Sequence, residues 1–83
     1  MKHNEAVSAV SAMIVKPDDS REQVIIMNDD TVRVALAFEE AAVFTEGTFI
    51  DTTRSSTFTG DFAKRAIYAI TAAAAAVVRV EEI

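Results

Sequence analysis

A chain of 83 residues that is 51% hydrophobic, with a mean hydropathy of +0.21, has the size of one small domain and is too apolar to remain disordered. Its formal charge of −5 and pI near 4.6 argue against nucleic acid or an anionic membrane as a direct partner. With no cysteine there is no disulfide framework and no thiolate zinc site, which fits a reducing compartment.

Met1-Lys2-His3 followed by Ala6 to Val15 has a faint look of a secretory leader, but Glu5 and the serines break the pattern, and no cleavage is expected. Residues 4–15 fit two periods. Ala6, Ala9, Val10 and Met13 make a helical stripe, whereas Val7, Ala9, Met13 and Val15 alternate as a strand would. The β-branched ending Met13-Ile14-Val15 favours the strand, closed by a turn at Lys16-Pro17-Asp18-Asp19. Val24–Met27, the turn formers Asn28-Asp29-Asp30-Thr31, and Val32–Phe38 together predict a β-hairpin. Glu39–Glu46 is open between a short helix closed by Gly47 and a further strand that turns at Gly47. Thr48–Thr53 has strand composition, Arg54–Thr57 looks like a connection, and Phe58 re-enters the core.

The longest periodic stretch is Phe62 through Val80, preceded by Thr59 or Asp61 as its N-cap. Phe62, Ala63, Ala66, Ile67, Ile70, Ala73, Ala74, Val77 and Val78 share one helical face, and alanine is the best intrinsic helix former. An alternative has Val77–Ile83 leaving the helix as a final strand, but no Gly or Pro marks the exit. The apolar run Ala66–Val78 falls short of the roughly 20 residues a bilayer needs. The expectation is therefore a soluble, cytoplasmic α+β domain over residues 1–83. A small meander-like antiparallel sheet of three to five strands would carry one long C-terminal helix on one face.

No chemical motif stands out. His3 reads as a solvated terminal residue, and with only Gly47 and Gly60 the usual phosphate cradles are missing. The pairs Asp18-Asp19, Asp29-Asp30, Glu39-Glu40 and Glu81-Glu82 do not follow the calcium-loop pattern, and turn chemistry accounts for the first two. No catalytic, cofactor or metal residues are assigned. The charge layout says more: residues 18–51 hold nine acids against Arg21 and Arg33, a net of −7, while Lys64, Arg65 and Arg79 would sit on the back of the helix. Asp18, Asp19, Asp29, Asp30, Glu39 and Glu40 form a candidate acidic rim that could steer a basic partner protein. A strip of small residues on the helix, Ala69, Ala72 and Ala76, is a candidate surface for a homodimer.

Three functions follow from these readings. The first is a non-enzymatic protein-binding module with an acidic surface, one form of which is a small inhibitor, of the kind mobile elements encode, that occupies the nucleic-acid-binding surface of a partner. The second is a structural subunit that self-associates through its helix. The third, given least weight, is a small enzyme whose carboxylates converge only on folding.

Overall fold

The computed structural model describes all 83 residues, and the protein is built almost wholly of strands. They are β1 (Lys2–Val7), β2 (Ala12–Val15), β3 (Gln23–Asn28), β4 (Val34–Phe38), β5 (Thr48–Ile50), β6 (Arg54–Thr59), β7 (Ile67–Ile70) and β8 (Ala76–Glu82), with one helical turn, α1 (Asp61–Lys64), between β6 and β7. Two four-stranded sheets form, in the orders β1-β8-β3-β6 and β2-β7-β4-β5, and every pairing is antiparallel. Only β4 and β5 are joined as a hairpin; every other connection carries the chain from one sheet to the other.

The two sheets enclose one core. Val24 and Ile26 of β3, Val78 and Val80 of β8, and Val7 of β1 come from the first sheet. Val15, Val34, Leu36, Ile50, Ile67 and Ala69 come from the second. Alternation at period two is clearest in β8, where Ala76, Val78 and Val80 are buried and Val77 and Arg79 are exposed.

This architecture corrects the expected α+β fold, because the long C-terminal helix does not form. Residues 61–83 divide into α1, β7, a connection at Thr71–Ala75, and β8. Alanine suits both periods, and its helical advantage over ordinary residues is at most about 0.7 kcal/mol per position. Full burial of one valine or isoleucine is worth about 1.5–3 kcal/mol. The strand arrangement buries Ile67, Val78 and Val80 at once, whereas Phe62 and Val77, placed on the buried helical face by the sequence, are 51% and 49% exposed. The final strand considered at Val77–Ile83 is the outcome, beginning at Ala76.

Helix formation stops after one turn for a local reason as well. Arg21 donates from Nε to the carbonyl of Ala63 and from Nη2 to that of Arg65 (3.1 Å), while the Asp18 amide donates to the Lys64 carbonyl (3.0 Å). Those carbonyls would otherwise have continued the helical ladder. The N-cap position is Gly60, with no side-chain cap, rather than Thr59 or Asp61.

The predicted hairpin is likewise overturned. β3 and β4 are strands, but they lie in different sheets, each between partners from later in the chain. Asn28 makes the corner. Its buried side chain donates to the carbonyls of Val32 (2.8 Å) and Ile50 (3.1 Å), and its oxygen accepts the Asp30 amide (3.1 Å). Residues 39–46 are neither helix nor strand, and Arg54–Thr59 is a strand rather than a connection.

Candidate functional site

A group of ionisable side chains lies beside β1 and β2, edge strands of the two sheets. A cleft of about 760 Å³ opens there, lined by His3, Glu5, Ile14, Lys16, Arg21 and Glu82 among others. On β1, His3 and Glu5 share the inward side with Val7, opposite Val80 and Val78 of β8. His3 Nδ1 lies 2.6 Å from Glu5 Oε2, and Nε2 lies 2.7 Å from Glu82 Oε2. Glu82 Oε1 accepts from Arg21 Nη1 at 2.6 Å, and the same nitrogen reaches the Lys16 carbonyl at 2.9 Å. His3 is therefore partly buried and held by two carboxylates, not a solvated terminal residue. Its carboxylates occupy opposite nitrogens, so they do not converge on a point where a cation would sit. The chain of contacts ties β1, β8, the β2–β3 turn and α1 together.

The six acids of the predicted rim are divided between the two ends of the molecule. Asp18 and Asp19 lie in the β2–β3 turn, and Glu39 and Glu40 begin the β4–β5 connection. Both segments are bonded to one short link, the Asp18 amide to the Lys64 carbonyl (3.0 Å) and the Glu39 amide to the Ala66 carbonyl (2.9 Å). The Glu39 carboxylate returns to accept the Ala66 amide at 3.1 Å. Four rim acids thus flank residues 64–66. None of the four is ion-paired, and the nearby Arg65 guanidinium lies over the Phe62 ring, 5.3 Å from its centroid.

Asp29 and Asp30 lie at the opposite end, where β3 finishes and β8 begins. Asp29 pairs with Arg79 at 2.6 Å, and Asp30 accepts the amides of Thr31 (2.7 Å) and Val77 (3.2 Å). The Thr31 amide first, and then the Val77 amide, hold the Asp30 carboxyl below its ordinary range. At the other end the Ser20 hydroxyl does the same for Asp18, joined by the Ser20 amide and, more weakly, by the charge of Arg21.

No family model, curated protein or solved structure matches this chain.

The alanine strip loses its frame with the helix. Ala69 is buried in β7, Ala76 is buried at the start of β8 in the other sheet, and Ala72 is exposed in the connection between them. Sequence reasoning missed Glu5, Arg21 and Glu82 as a group. The one local signal was the alternation of His3, Glu5 and Val7 along β1, which ends in a core valine.

Proposed function

We propose that the protein is a non-enzymatic protein-binding module that meets a basic partner with the end carrying Asp18, Asp19, Glu39 and Glu40. The observation that supports this reading is the placement of four carboxylates free of ion pairs around one short link, contributed by two turns distant in sequence. Such a cluster makes the local potential more negative and speeds encounter with a positively charged surface. One form of that partner is a nucleic-acid-binding protein, whose basic surface the carboxylates complement.

Decalysine is a suitable charge-only probe, followed by amide NMR on the full chain. Shifts confined to residues 17–22 and 38–41, with affinity that falls steeply between low and moderate salt, are expected. Changing the four acids to their amides should abolish the response. Equal affinity at both salts, or a response centred on Asp29 and Asp30, would overturn the reading.

A further inference from the structure

The outward face of the second sheet is apolar and is covered at its centre, while Met13 (44%) and Phe49 (40%) toward its edges stay exposed. In β4, Val34 and Leu36 enter the core, so Ala35 and Ala37 face away from it. Register sets Ala35 beside Ile70 and Phe49, and Ala37 beside Tyr68. Ala35 is nonetheless 0% exposed. The cover is the connection from Glu39 to Gly47. From the end of β4 it reaches Ser11, which leads into β2 on the far side of β7, and there the Ala42 amide donates to Ser11 Oγ at 2.8 Å. Phe44 then meets Phe49 edge-on, with ring centroids 5.7 Å apart. Ala42 is 5% exposed.

Both ends of this segment sit at positive φ, Glu39 at 64° and Gly47 at 97°. A non-glycine residue there is held against its preference. Between the ends, the bond from Ala42 to Ser11 is the single hydrogen bond that ties the segment to the neighbouring elements. The composition is Ala41-Ala42-Val43-Phe44 bracketed by Glu39, Glu40 and Glu46, with no base.

We infer that residues 39–47 are a displaceable strap, and that the sheet face beneath them receives a short apolar segment of the partner flanked by lysines or arginines. This deepens the protein-binding reading and rests on it. The strap itself shows that a short apolar segment fits the face, and Glu39, which the Ala66 backbone holds at the hinge through both its amide and its carboxylate, is complementary to a base beside the incoming chain.

The test is a lock. The chain has no cysteine, so Ser11→Cys with Ala42→Cys introduces the one possible disulfide, between positions already in contact. Two probes are titrated: decalysine, and a peptide of alternating valine and lysine. Oxidation should weaken the valine–lysine peptide at least tenfold and reductant should restore it, with decalysine unaffected. The single variant Ser11→Ala releases the strap without a disulfide and should tighten the valine–lysine peptide about threefold to tenfold, the equivalent of one hydrogen bond. Equal affinity of the valine–lysine peptide in the oxidised and reduced lock, or in Ser11→Ala and wild type, overturns the strap while retained decalysine binding leaves the acidic-end reading standing. Failure of decalysine to bind the wild type overturns that reading and this inference together.

Discussion

Arg21 and Glu82, 61 positions apart, are joined at 2.6 Å in a guanidinium–carboxylate contact whose arginine is 3% exposed. The same guanidinium binds the carbonyls of Lys16, Ala63 and Arg65, so one side chain closes the β2–β3 turn, ends α1 and holds the last strand. Glu82 is shared in turn with His3, which carries the connection into β1.

Removing the arginine should therefore cost far more than a surface ion pair. Arg21→Met leaves a half-buried carboxylate and three carbonyls without their donor, and a loss of about 3–5 kcal/mol is expected in urea unfolding. Arg21→Lys should recover only part, because an ammonium cannot span the fork that the guanidinium fills. A double-mutant cycle with Glu82→Gln should show strong coupling. Arg21→Met within 1 kcal/mol of wild type would remove the side chain from this role.

The division of β8 into inward and outward residues gives a second expectation. Val78 is buried between the sheets, and Val77 is 49% exposed. Val78→Ala should lose about 1.5–3 kcal/mol and Val77→Ala no more than about 0.5 kcal/mol. In the helical arrangement the two valines share a face and would respond alike. Comparable losses at both positions would contradict the strand.

Strands were legible where bulk and branching speak locally. Val24–Met27 and Val34–Phe38 are strands for the reasons their composition gives, and Met13–Val15 follows the same rule. Their partners were not legible, because Asn28-Asp29-Asp30 has the composition of a hairpin turn whether the chain folds back or crosses to a facing sheet. The corner is set by Asn28 reaching the Ile50 carbonyl, a contact 22 positions away. Arg54–Thr59 escaped notice because serine and threonine occupy its faces and only Phe58 points to the core cluster. The acids are readable as one rim, but not its division into two ends, since residues 64–66, which gather Asp18, Asp19, Glu39 and Glu40 away from Asp29 and Asp30, have the composition of a helix.

Asp18 offers a pH-dependent check. The Ser20 hydroxyl, then its amide, favour the ionised carboxyl, desolvation opposes, and Arg21 adds a smaller attraction. The folded value lies below the ordinary 3.8. The carboxylate's contribution to stability is thus present above the ordinary value and is lost as pH falls through the lowered one. NMR titration should place Asp18 below an unperturbed aspartate, and Ser20→Ala, which deletes the largest cause, should shift it upward. No movement in Ser20→Ala would show that the hydroxyl is not the cause.

The alanine-rich segment permits a direct contrast between propensity and context. Residues 61–80 as a free peptide retain a helical apolar period and five alanines from Ala72 to Ala76, but lose the strands that pair with β7 and β8 in the intact chain. In trifluoroethanol, which enriches helix regardless of native structure, the peptide should give a helical circular-dichroism spectrum. The intact protein in buffer should give a β-type spectrum, with amides of Val78 and Val80 protected from exchange because they lie in the central strand β8, hydrogen bonded on both sides. The Ala73 and Ala74 amides, in the exposed connection, should exchange early. Protection running continuously from Phe62 to Val80 would mean that propensity wins in the native chain, and the two-sheet arrangement would fall with it.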